Sequence, residues 1–196
     1  MLTNSVPEIF KNAIAEKFHV LNNNHVLCIE EKRVKKEEGQ CFCEWVKIST
    51  EDIEHFCFSI DHEDKANQDS IFPFFNTNKQ TRIKGLRSKN DAIIICQREQ
   101  RIFVFLIELK SNMPEKYLQQ LELAKLFVDF IIDRFNLVSN GYKIQKENIE
   151  YRGVLFSCRN KATSRKKPKF YLHRDKSLSV AEESCHSTYP LQYFLS

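Results

Sequence analysis

Glycine is scarce in this 196-residue chain, with four residues, Gly39, Gly85, Gly141 and Gly153, standing singly. Backbone amides wrap a phosphate only where glycines cluster, so Walker-type and dinucleotide-fingerprint enzymes are excluded. Long apolar runs are also missing. None approaches the roughly 18 residues that span a bilayer, and the stretch Met1 to Pro7 has neither the charged nor the apolar region of a secretory signal. There is no C-x-x-C pair among the seven cysteines (28, 41, 43, 57, 96, 158, 185) and no metal-ligand spacing among the six histidines. Most of the cysteines lie in apolar runs, such as Ile93-Ile94-Ile95-Cys96. The expectation is of buried free thiols in a reducing cytoplasm, with no zinc site and no membrane partner. No internal repeat or low-complexity stretch interrupts the chain.

What is present suffices for a packed core: 42% hydrophobic and 12% aromatic residues over a length suited to one domain, or one domain with a subdomain. The net charge of +4 permits a nucleic-acid partner without requiring one. Residues 7–18 space their apolar positions as an amphipathic helix with Pro7 in its first turn. Val26 to Ile29, Cys41 to Ile48 and Phe56 to Ile60 read as strands, 61–70 as a polar loop, and Ile71 to Phe75, broken by Pro73, as an edge strand or packed loop. Ala92 to Cys96 and Ile102 to Leu109 are continuous apolar runs around the charged turn 98–101, the pattern of a buried hairpin. Ser111 or Asn112 can cap a helix that takes Pro114 in its first turn, runs to about Phe135 and stops before Asn140-Gly141. Val154 to Ser157 reads as a further buried strand, and Phe170 to Leu172 as a short one. The order predicts an α/β fold, a mixed sheet flanked by helices.

The chemistry gathers at the end of that hairpin. Alternation along a strand puts Glu108 and Lys110 on one side and Ile107 and Leu109 on the other. Asp91 precedes the partner strand, and a turn at 98–101 returns it beside Glu108 to Lys110. Two carboxylates and an ammonium at the end of apolar strands are costly unless paired, metal-bound or facing a cleft. Such carboxylates are hard oxygen ligands for Mg²⁺, and metal-assisted phosphodiester hydrolysis is the natural reaction class. The spacing E-x-K alone is weak, since roughly two matches arise by chance in such a composition. Glu30 with Lys32 and Glu63 with Lys65 also match, beside polar charge runs that read as solvated faces. Only Glu108 and Lys110 combine a buried strand, an upstream Asp at hairpin distance and a following long helix.

The stretch Lys84-Gly85-Leu86-Arg87-Ser88-Lys89-Asn90-Asp91-Ala92-Ile93-Ile94-Ile95, then Phe105-Leu106-Ile107-Glu108-Leu109-Lys110-Ser111, then a helix with Gln119-Gln120-Leu121, resembles the core of the PD-(D/E)XK nuclease superfamily over residues 81–135. Asn90 stands where that pattern nominally has proline. The resemblance implies a restriction-endonuclease-like αβββαβ core with N-terminal strand additions. It also implies a single nuclease-like domain over 1–196, with a helix and strands in 1–80 and a strand and basic segment in 150–196. It further implies Mg²⁺ or Mn²⁺ held by Asp91, Glu108 and the Leu109 backbone, with Lys110 as the catalytic lysine. Some members carry a glutamine on the following helix. Gln120 is preferred here over Gln119, and either also fits the boundary of a core-packing helix. Glu8 and Glu16 are candidates for an acidic residue on the first helix, and that role is not carried over.

A basic segment follows. Between Arg159 and Lys176 eight cations, Arg165, Lys166, Lys167 and Lys169 among them, face the single acid Asp175. With Phe170 and Tyr171 interleaved, they suit phosphate contact and base stacking. Upstream, Arg82, Lys84, Arg87 and Lys89 lead into Asp91. The expected activity is metal-dependent cleavage of nucleic acid, DNA favoured over RNA, in a host-defence or restriction-like role, with a homodimer or a partner protein compatible. The competing reading is an inactive module on the same fold that binds nucleic acid or protein.

Overall fold

The computed structural model describes residues 5–31, 42–61, 88–111, 117–158, 167–172 and 178–196. Its centre is a six-stranded mixed sheet, ordered β4-β5-β6-β7-β9-β8. The strands are β4 (His55–Phe58), β5 (Ala92–Arg98), β6 (Arg101–Lys110), β7 (Ile149–Ser157), β8 (Tyr171–Leu172) and β9 (Ser179–Ser184). β4, β5 and β6 form an antiparallel meander, and β6, β7 and β9 run parallel. The predicted hairpin is present with its turn as expected, Arg98 pairing with Arg101 and Glu99 taking a left-handed φ of 56°.

The two faces of this sheet are covered differently. Ile93, Ile95, Val104, Leu106, Leu155 and Val180 pack on helices α1 (Val6–Ala13) and α2 (Tyr117–Val138). On the other face Ala92, Ile94, Phe105, Ile107, Leu109 and Phe156 meet a second sheet, ordered β1-β2-β3-β10. Its strands are β1 (Asn22–Asn23), β2 (Val26–Glu30), β3 (Trp45–Ser49) and β10 (Thr188–Pro190). The short helix α3 (Leu191–Phe194) adds Leu191 and Phe194 to that layer. The expectation of one sheet flanked by helices is therefore corrected: α1 and the long helix α2 take one face and a second sheet takes the other.

Local causes explain most boundaries. α1 starts where Ser5 Oγ accepts from the Glu8 N–H at 3.4 Å, with Pro7 in the first turn. It ends early, because Ile14 is extended, so the helix predicted to run to residue 18 becomes α1 plus a separate 3-10 turn, Glu16–Phe18. Gly153 in β7 is a position that only glycine fits comfortably. A Cβ there would lie 2.9 Å from both Leu121 of α2 and Val180 of β9. β9 and β10 were not anticipated. The run Glu182-Glu183-Ser184 conceals the first from any apolar pattern, and β10 is only three residues long.

The expectation of free cysteines is corrected at two positions. Cys43, before β3, and Cys185, after β9, form a disulfide across 142 residues of sequence, tying the two sheets together. Their spacing in sequence carried no hint of it, because connectivity is set by the fold. The disulfide gives no support to a cytoplasmic location. Cys57 and Cys96 do remain thiols, each with its pKa pushed up by burial. Among the described residues no helix is long and apolar enough to cross a membrane. The expected elements at Ile71 to Phe75, at the start of the Cys41 strand and around Asn112 and Pro114 lie outside the described residues.

Candidate functional site

β5 and β6 build the centre. Their register sets Ala92 opposite Ile107, and the Asp91 N–H donates to the Ile107 carbonyl at 3.2 Å, so Asp91 comes level with Glu108. Alternation places Asp91, Glu108 and Lys110 on the face shared with Ile93, Ile95, Val104 and Leu106, the helix side of the sheet. The Leu109 N–H donates to Asp91 Oδ2 at 2.6 Å, fixing that carboxylate across the hairpin. Leu109 itself is buried, its side chain on the opposite face. The structure thus brings together Asp91, Glu108, Leu109 and Lys110 as the sequence predicts.

Glu108 is wholly buried. One of its carboxylate oxygens pairs with Lys110 Nζ, and Oε2 meets no hydrogen-bond donor among the described residues. A buried carboxylate half-satisfied in this way is costly. Burial, and then the neighbouring Asp91, push the Glu108 pKa well above the ordinary carboxylate range despite Lys110. Burial also lifts Asp91 to about 7, opposed by the Leu109 N–H and Lys110 and reinforced by Glu31 and Asp61. Burial works against the charge on Lys110, yet Glu108 with Asp91 and Glu31 outweighs it, and Lys110 is raised. Lys110 therefore keeps its proton.

Two further carboxylates stand here that sequence reasoning passed over. Ligand oxygens of Glu31, Asp61 and Asp91 all lie within 4.8 Å of one another. Glu31 continues the inward stripe Leu27, Ile29 of β2. Asp61 follows β4, whose pairing Phe58 with Ile93, extended two residues, brings position 60 level with 91. The available signals were the inward parity of Glu31 and the acid placed directly after buried Ile60. Both sit beside the E-x-K matches at Glu30 and Glu63 that read as solvated. Glu30 is indeed exposed, one residue from Glu31.

The other expected residues divide. Gln120 Nε2 donates to the Lys89 carbonyl at 2.9 Å, holding the segment that leads into Asp91, while Gln119 is exposed. Lys89 Nζ lies 3.6 Å from Asp61 Oδ1, at the edge of the acidic group. Asn90 is buried, its Nδ2 donating to the Ala92 carbonyl at 2.6 Å and its Oδ1 left without a donor among the described residues. Lys167 and Lys169 are exposed. Lys169 lies over the Tyr171 ring, and Tyr171 pairs with Val180 at the far edge of the sheet, three strand spacings or about 14 Å from β6. Arg87, Arg165 and Lys166, with Arg82 and Lys84, lie outside the described residues.

The donor set fits a hard divalent cation. The group of Glu31, Asp61 and Asp91 is all oxygen and gathers at strand ends, and Glu108, level with Asp91 on the neighbouring strand, adds a buried carboxylate oxygen with no hydrogen-bond partner among the described residues. Nitrogen and sulfur ligands of the kind zinc prefers are absent from this group. Compared with protein-family models, with curated proteins and with solved structures, the chain matches none.

Proposed function

We propose that the protein is a divalent-metal-dependent nuclease built on a restriction-endonuclease-like core. The observation that carries this reading is the convergence of Asp91, Glu108 and Lys110 at one end of a buried hairpin, with a Glu108 oxygen unsatisfied. Supporting it, the order α1, β4, β5, β6, α2, β7 has the αβββαβ form, and β1 to β3 are inserted between α1 and β4.

Asp91 and Glu108, with the Leu109 backbone, would hold Mg²⁺ or Mn²⁺. When bound, such an ion neutralises charge developing on a phosphodiester and makes its bound water a better nucleophile. The residues of the chain do the rest. The Leu109 N–H holds Asp91 through Oδ2 and would leave Oδ1 for the ion. Lys110, protonated and paired to Glu108, is a cationic donor for a phosphate oxygen in the transition state. Gln120 keeps the Lys89 carbonyl, and with it the approach to Asp91, in register. Lys89, beside the acids, is placed to contact an incoming phosphate.

The test is direct: circular DNA, linear DNA and RNA, each with Mg²⁺, Mn²⁺ or chelator. Cutting of the circle with metal and none with chelator is the expected result. Salt-sensitive binding with no cleavage in either metal would replace this reading with an inactive binding module on the same fold.

A further inference from the structure

We infer that Glu31 and Asp61 are cation ligands, completing with Asp91 a three-carboxylate seat that the β5–β6 hairpin cannot build alone. The inference rests on the reading that this site takes a divalent cation, and not on cleavage. Three carboxylates with ligand oxygens within 4.8 Å of one another repel when ionised, and surface acids left free to move would separate. These are held. The Glu31 N–H donates to the Glu44 carbonyl at 2.9 Å, one residue beyond the β2–β3 pair of Glu30 with Trp45. The adjoining Cys43 is bonded to Cys185, and its N–H donates to Ser111 Oγ at 3.0 Å, directly after Lys110. The end of the small sheet is thereby fastened to the end of β6. Asp61 is fixed from the other side, its N–H donating to Ser59 Oγ at 3.2 Å while the Ser59 N–H donates to the Phe18 carbonyl at 2.9 Å.

Independent of the cluster is Glu108, fully buried, with an oxygen that has no hydrogen-bond partner among the described residues, level with Asp91 across the β5–β6 pair and on the same face of the sheet. Lys89 Nζ beside Asp61 marks the same spot as one that attracts positive charge. Oxygen-only donors of this number suit Mg²⁺, Mn²⁺ or Ca²⁺, with water filling the remaining positions.

Mn²⁺ alone, titrated into the full chain and followed by its electron paramagnetic resonance signal, tests the assignment. Glu31→Gln and Asp61→Asn are each expected to weaken Mn²⁺ binding at least about tenfold, and Glu30→Gln, the exposed neighbour, to leave it unchanged. Removing one of several crowded carboxylates relieves repulsion, so both variants should melt at or above the wild-type temperature in chelator. The Mn²⁺-induced rise in each variant's own midpoint is a second readout, independent of any change in fold stability. Wild-type affinity in either variant, or no Mn²⁺ binding by the wild type, overturns the assignment. Weakened Mn²⁺ binding in both variants beside a wild type that cuts no nucleic acid upholds the seat and overturns the nuclease reading.

Discussion

The two sheets are built on different principles. In the six-stranded sheet β5 and the core of β6 are buried on both faces, between helices on one side and a second sheet on the other. In the four-stranded sheet β2 and β3 alternate, Leu27, Ile29, Val46 and Ile48 facing inward and Cys28 and Lys47 outward. A strand buried on both faces has no place for a charge except where chemistry holds it, so Glu108 at the end of β6 stands out. A half-buried strand carries charge as a matter of course, and an inward acid at its end attracts no notice. The large sheet supplies the rigid centre, and the small sheet, tied on by its disulfide, brings one more carboxylate to it.

That division can be broken at several points. The largest effect is expected at the tie. Replacing Cys43 and Cys185 together by Ser releases a closure spanning 142 residues and should lower stability by about 2–4 kcal/mol in denaturant titration, with Mn²⁺ affinity falling alongside. Unchanged stability would mean that core packing alone holds the small sheet. Within the large sheet, Gly153→Ala pushes a methyl against Leu121 and Val180 and should cost about 1–3 kcal/mol. A neutral result would show that α2 can move away from β7.

A subtler test is pH. Asp91 carries a folded-state pKa raised from 3.8 to about 7, and Glu108 is raised in the same direction. Because folding favours their protonated forms, the stability that Asp91 contributes is complete below about pH 3.8 and is lost as pH rises through about 7, and that of Glu108 is lost in the same direction. In chelator the melting midpoint should therefore be lower at pH 8 than at pH 5.5, and Mn²⁺ should raise it more at pH 8. Equal midpoints in chelator, or the same gain at both pH values, would contradict the burial of these acids. Smallest is the effect at Lys89, where Lys89→Met removes a cation beside Asp61. Mn²⁺ should bind a few-fold more tightly and nucleic acid a few-fold more weakly. A fall in Mn²⁺ affinity would make Lys89 a structural support of the seat.

How much of this the amino-acid sequence reveals follows from the same contrast. The β5–β6 hairpin, α2 and the end of β7 are legible because continuous apolar runs and a long amphipathic period leave little choice of structure. Asp91, Glu108 and Lys110 are legible because they end such runs, and Gln120 because it lies one turn from Ala124 on the buried side of α2. Glu31 and Asp61 were hidden by polar surroundings, and their approach to Asp91 depends on tertiary register that no local pattern encodes. β9 was hidden by its own acids, Glu182 and Glu183, and the disulfide by a sequence separation that only the packed sheets close.

The most direct test of the whole account is a side-by-side plasmid-nicking assay of wild type and Glu108→Gln in Mn²⁺, with melting curves of both proteins. Glu108→Gln keeps the shape of the buried side chain and removes its charge. Nicking by the wild type, at least about 100-fold slower nicking by the variant and an equal or higher midpoint for the variant in chelator is the predicted result. Equal nicking by the two proteins, or none by the wild type, would contradict it.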